Sequence, residues 1–133
     1  MAKVERFEDL KCWQEARVLV KEIYLLSERG KLVKDFDTRS QIRRAALSVM
    51  NNIAEGFGKY SNKEFIRYLD IANNSASEVK SILYVLIDLN YFSEDELVKL
   101  QAKADEVKAL SLALIKYLVN RNKVTFEQTN KNT

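Results

Sequence analysis

Apolar residues recur at steps of three and four along most of this chain, in four seams separated by punctuating residues. The first seam is Cys12, Ala16, Leu19, Ile23 and Leu26, widened by Trp13 and Val20 and followed by Gly30. Glu8 and Asp9 suit its N-terminal end. The second seam contains Ile42, Ala46, Val49 and Ile53, with Asp37 or Thr38 as its cap and Gly58 as its stop. Ser61 and Glu64 have the spacing of a capping box and open the third: Phe65, Leu69, Ala72, Ala76, Val79, Leu83 and Leu86. Ser93 and Glu96 form a second such pair ahead of Leu97, Leu100, Ala104, Val107, Leu114 and Leu118.

These patterns predict helices over about 8–29, 37–58, 61–90 and 93–120, a polar link over 31–36, and a polar, disordered tail over 121–133. Nothing has the period of a strand. Long helices with short links favour antiparallel neighbours, so the expected fold is an all-α, up-down-up-down four-helix bundle forming one domain over 1–120.

The second helix carries more apolar surface than one stripe requires. Leu47, Met50, Ala54 and Phe57 form a second row beside the core seam, which implies burial on a second side. A broad core with scattered exposed apolar residues would also produce it; an oligomer interface is the preferred reading. A third row, Ala45, Ser48, Asn52 and Glu55, is polar and is matched on the third helix by Ile71, Ser75, Glu78 and Ile82. In an antiparallel pair Glu78 stands level with Arg43, and Glu55 with Arg67. Asn52, Glu55, Arg67, Ser75 and Glu78 therefore read as a structural polar network. Glu78 is expected near Arg43 or Arg39, and Glu55 near Arg67 or Lys63, because unpaired half-buried carboxylates are costly.

Composition narrows the chemistry. There is no histidine and a single cysteine, Cys12, so transition-metal sites and Ser-His or Cys-His pairs are not expected. The two network carboxylates lie about 30 Å apart by register, too far to act as a catalytic pair. No enzymatic activity, metal or other cofactor is expected. The lone cysteine points to a reducing, cytoplasmic compartment, and no stretch has the apolar length of a membrane span or a signal peptide. Absent proline and three glycines in 133 residues favour long helices. The net charge of +3 matches the local excess in residues 31–60, where six cations face Asp35, Asp37 and Glu55. A solvated helix entry would explain that excess as well as a binding surface would.

The segment RRAALSVMNNIAEGFGKYSNKEFIRYLDIANNSASEV, preceded by FEDLKCWQEA, resembles the bacterial 23S rRNA intervening-sequence proteins. The accessory variability protein of diversity-generating retroelements is a relative of that family. The resemblance spans about residues 7–120, and its most specific element is Asn52, Ile53, Ala54, Glu55 and Gly56. Asn74-Ser75 stands where the family usually has Gly-Ser, which argues against close helix approach at that level. The resemblance implies a four-helix bundle, a homo-oligomer with ring-shaped pentamers known, and no established enzymatic activity. It also implies RNA or DNA and a second protein as candidate partners, with Arg39, Arg43, Arg44 and Lys59 as the matching candidates for phosphate contact. A purely structural protein–protein module is the alternative.

Overall fold

The computed structural model describes residues 4–131, with side chains through Arg121. Four α-helices carry the chain: α1 (Lys11–Ser27), α2 (Phe36–Phe57), α3 (Asn62–Asp88) and α4 (Glu94–Lys131). All seam residues named above for α1, α3 and the core row of α2 are buried; on α4 Leu114 alone is only partly so.

Helix ends follow local chemistry. The Ser61 hydroxyl accepts the Glu64 N–H at 3.1 Å and the Ser93 hydroxyl accepts the Glu96 N–H at 3.3 Å, so both predicted serine caps form. The cap of α2 is Asp35 rather than Asp37 or Thr38: its carboxylate accepts the Thr38 N–H at 3.2 Å. It also accepts the Tyr91 hydroxyl at 3.0 Å, tying the α3–α4 turn to the start of α2. That turn closes with Asn90 at φ 57°, Asn90 N–H on the Ile87 carbonyl and Tyr91 N–H on the Leu86 carbonyl, the double bond of a Schellman ending.

Three further expectations change. α1 begins at Lys11, because Leu10 is extended and Glu8 and Asp9 fall in a separate 3-10 turn, Phe7–Asp9. The supposed polar link is another 3-10 turn, Gly30–Lys34, folded around a fully buried Leu32. Finally, α4 continues to Lys131 across residues expected to be a disordered tail. Polarity there removes a reason for burial, but no glycine or proline is present to stop the helix. Residues 132–133 of that expected tail lie outside the described residues.

Each helix packs against two others, in the cyclic order α1, α2, α3, α4. Ser48 meets Ser75 and Gln41 meets Glu78; Lys80 meets Asp105 and Ser77 meets Lys108; Glu15 meets Lys103 and Arg29 meets Glu96. Residue numbers fall on one helix as they rise on its neighbour, the order that antiparallel packing requires. The core has two clusters, one around Ile23, Ile42, Leu83 and Leu97 and one around Ala16, Ile53, Leu69 and Val107. α2 and α3 close together at Gly56, where a Cβ would lie 2.6 Å from the Tyr68 Cβ.

Candidate functional site

The start of α2 brings arginines against the end of α1. Arg39 and Arg43 are four apart, so both project from one face of the helix toward Ser27 and Glu28. Arg43 Nε donates to the Ser27 hydroxyl at 2.6 Å, and its Nη2 donates to Glu28 Oε1 at 2.5 Å. Its guanidinium also lies 4.5 Å from the centre of the Tyr24 ring, a cation–π contact. Ser27 is buried and spends its own proton on the Tyr24 carbonyl at 2.7 Å, which leaves its oxygen free to accept from Arg43. Arg39 Nη2 reaches the same Glu28 oxygen at 3.3 Å, while its buried Nε has no partner among the described residues. Hydrogen bonds from Arg43 first and Arg39 second hold the Glu28 carboxyl below its ordinary range.

Arg44 is about 100° round the helix from Arg43 and is exposed. It makes no hydrogen bond or ion pair among the described residues. Together the three arginines line a cavity of about 340 Å³ whose other walls are Tyr24, Phe36, Ser40 and Leu47. Phe36 is 72 % exposed, a large apolar ring left in solvent beside the guanidinium groups. One carboxylate thus answers three cations, and the cavity retains a positive surplus. Lys59 is not part of it. It follows the far end of α2, about 22 Å along the helix from Arg44, with its Nζ 5.1 Å from the Tyr68 ring centre.

The polar row forms a different network from the one expected. Ser48 and Ser75 share a 2.7 Å hydrogen bond, and Asn52 Nδ2 donates to the Ser48 carbonyl at 2.7 Å and to its hydroxyl at 3.0 Å. Glu78 accepts from Gln41 Nε2 at 2.7 Å, not from Arg43 or Arg39. The height along α2 agrees with the expectation, but the azimuth does not: Gln41 shares the α3-facing row with Ser48, whereas Arg39 and Arg43 face α1. The Glu55 side chain is exposed with no hydrogen bond or ion pair among the described residues, and Arg67 pairs instead with Glu64 at 3.3 Å. Neither belongs to the network. Asn74 is exposed, so its side chain does not keep α2 and α3 apart beside the Ser48–Ser75 contact.

Leu47, Met50, Ala54 and Phe57 are half-buried. Met50 and Phe57 pack on the second core cluster, and Phe57 meets Phe65 edge-to-face at 6.0 Å. Part of this row is therefore covered inside the chain and part is left outside. Cys12 is buried, and desolvation pushes its thiol up to about 11, so it is not a ready nucleophile at neutral pH. Among the described residues, no group of three or more His, Cys, Asp or Glu side chains is placed to hold a metal ion. No helix among them is long and apolar enough to cross a membrane.

Glu28, Ser27, Tyr24 and Phe36 were not singled out from the sequence. A signal existed: the link between α1 and α2 is short, so the end of one helix must stand level with the arginines that begin the next.

An all-α bundle with a polar α2–α3 seam and arginines clustered at one end of α2 is the class defined so far. The chain belongs to the 23S rRNA-intervening sequence protein family, which matches residues 8–113. It is similar to a crystal structure of a protein with unknown function from the S23 ribosomal protein family of Bacteroides thetaiotaomicron VPI-5482. Identity is 25 %, the TM-score is 0.72, and the match covers 79 % of this chain and 95 % of that one. No curated protein matches. Neither the family nor this neighbour is described by an enzymatic activity.

Proposed function

We propose that this protein is a non-enzymatic adaptor of the cytoplasm that assembles into a homo-oligomer, a pentameric ring being the expected form, and binds RNA or DNA through its phosphates at the entrance of α2. The observation that carries this reading is the arginine cavity, in which Glu28 answers Arg39 and Arg43 while Arg44 stays unpaired and exposed. Tyr24 and Phe36 add apolar walls beside the charge. Guanidinium groups suit phosphate because they offer several donors in a plane. The uncovered part of the Leu47, Met50, Ala54 and Phe57 row supports self-association, and a ring would repeat the cavity once per subunit and make binding multivalent.

Fluorescence anisotropy with mixed-sequence RNA and DNA, at about 50 and about 200 mM salt, tests the reading. Wild type is expected to bind both with little sequence preference and to lose most of its affinity at the higher salt. Arg44→Ala is expected to weaken binding to unrelated sequences equally and to lower the salt slope by about 0.9 for each phosphate that is no longer neutralised.

The rival reading, a structural interaction module without nucleic acid, draws on Glu28, which already occupies two of the arginines. Glu28→Gln separates the two. It tightens binding at low salt if the arginines serve phosphates, and only loosens the α1–α2 packing if they serve the fold.

A further inference from the structure

The end of the bundle away from the arginine cavity carries a second feature, built around Lys59, the one candidate for phosphate contact that the arginine cavity does not include. Between Phe57 and Tyr68 aromatic and basic residues interleave: Phe57, Lys59, Tyr60, Lys63, Phe65, Arg67 and Tyr68. At the α2–α3 corner the fold turns that pattern into a surface. Lys59 Nζ lies 5.1 Å and the Arg67 guanidinium 5.0 Å from the centre of the same Tyr68 ring. Tyr60, at the corner itself, is fully exposed at 109 %. Beside them opens a cavity of about 430 Å³, within the range of about 300–1,000 Å³ usual for small-molecule sites. Its walls are apolar, from Leu10, Phe57, Phe65, Leu114 and Leu118. Its polar lining among the described residues is Lys59, Ser61, Asn62, Tyr117 and Arg121, without a carboxylate among them.

An apolar recess with Lys59 at its border suits a ligand with a flat or apolar body and an anionic edge. Tyr60, fully exposed and standing in the chain between the lining residues Lys59 and Ser61, adds a stacking face. We infer that this corner is a docking site for single-stranded nucleic acid, taking an unstacked base against Tyr60 and the cavity mouth while Lys59 meets the adjoining phosphate. Single-strand sites combine these parts, because every base has a face to stack and each nucleotide a phosphate to pair. A duplex keeps its bases stacked inside and would use the arginine cavity alone. The inference deepens the proposed function and rests on it. It adds a preference for single strands and places its origin about one helix length from the arginines.

The test compares a mixed-sequence single-stranded oligonucleotide with its duplex, using wild type, Tyr60→Ala, Lys59→Ala and Arg44→Ala. Tyr60 touches solvent alone, so its removal leaves the fold intact, which far-UV circular dichroism verifies. Tyr60→Ala and Lys59→Ala are expected to weaken single-strand binding, about fivefold or more for the missing stacking face, and to leave duplex binding unchanged. Arg44→Ala is expected to weaken both. If Tyr60→Ala and Lys59→Ala bind the single strand as wild type does while Arg44→Ala is impaired, the corner is not a nucleic-acid site and the proposed function stands. If wild type binds neither form at low salt, both fall. A fatty acid that protects the protein against thermal unfolding where the oligonucleotide does not would reassign the cavity to an amphipathic carboxylate and overturn the inference.

Discussion

Replacing Gly56 by alanine puts a methyl group where α2 and α3 come closest. An ideal Cβ at this position lies 2.6 Å from the Tyr68 Cβ, 3.0 Å from Phe65 Cδ1 and 3.4 Å from the Phe65 carbonyl oxygen. Carbon atoms rest at about 3.5–4.0 Å, so the first of these distances is short by roughly 1 Å. The Tyr68 Cβ is fixed to its helix backbone, and no rotamer change moves it. The helices must separate at this level, which also loosens the edge-to-face packing of Phe57 on Phe65. Overpacking of this kind costs about 1–3 kcal/mol. Alanine returns up to about 1 kcal/mol of helix propensity, less here because Gly56 is in the last turn of α2. The expected balance is a loss of about 1–2 kcal/mol, seen as a Tm lower by several degrees. Gly58→Ala is the control. Its φ of −78° is open to any residue, and the nearest atom to its added Cβ, the Glu55 carbonyl oxygen, is 3.5 Å away. That change should stabilise slightly, by restricting the unfolded chain. Thermal and urea unfolding by far-UV circular dichroism, at one protein concentration, should rank Gly58→Ala above wild type and wild type above Gly56→Ala. A Gly56→Ala protein as stable as wild type would refute the close approach.

Met50→Lys should lower the mass of the oligomer in solution while leaving helicity largely intact, because Met50 sits in the partly covered row of α2; unchanged mass would remove that row from the interface. Arg43→Ala should lower the midpoint of unfolding by removing the guanidinium stacked on Tyr24, about 1 kcal/mol, whereas Arg44→Ala should leave it unchanged. Glu15 is held below its ordinary value of 4.5, mainly by its hydrogen bond from Lys103, and Glu28 likewise by Arg43. Folded carboxyls with depressed values stabilise at neutral pH and lose that contribution as pH falls below about 4.5 through the folded values. Unfolding midpoints measured across the acid range should therefore decline there, and less steeply in Glu15→Gln.

Much of the fold was legible because its signals are periodic or local. Leu69, Ala76 and Leu83 repeat at helical spacing, and Ser61 and Ser93 announce helix starts by side-chain chemistry that needs no tertiary contact. Asp35 was harder to see, since Asp37 and Thr38 offer the same chemistry two and three residues later. Its role as the cap is accompanied by a hydrogen bond from Tyr91, far away in the chain. Leu32 looked like part of a link because two apolar residues, Leu32 and Val33, between lysines are too short a run to show a period. The network shows a sharper limit. Register placed Glu78 beside the start of α2, yet a helix offers several side chains at any height, and Gln41 rather than Arg43 holds the facing azimuth. At the candidate site the cations were visible as residue types, but Glu28 was not, and it decides how many of them remain free.

The central claim is that the chain works as an oligomer that binds nucleic acid through unpaired cations. Its most direct test is the mass of the protein in solution, by light scattering after size exclusion, with and without a mixed-sequence oligonucleotide at low salt. One oligomeric species is expected, a pentamer, whose mass rises on adding oligonucleotide and returns to the protein value at high salt. A monomer at micromolar concentration, or an intact oligomer whose mass the oligonucleotide leaves unchanged, would contradict it.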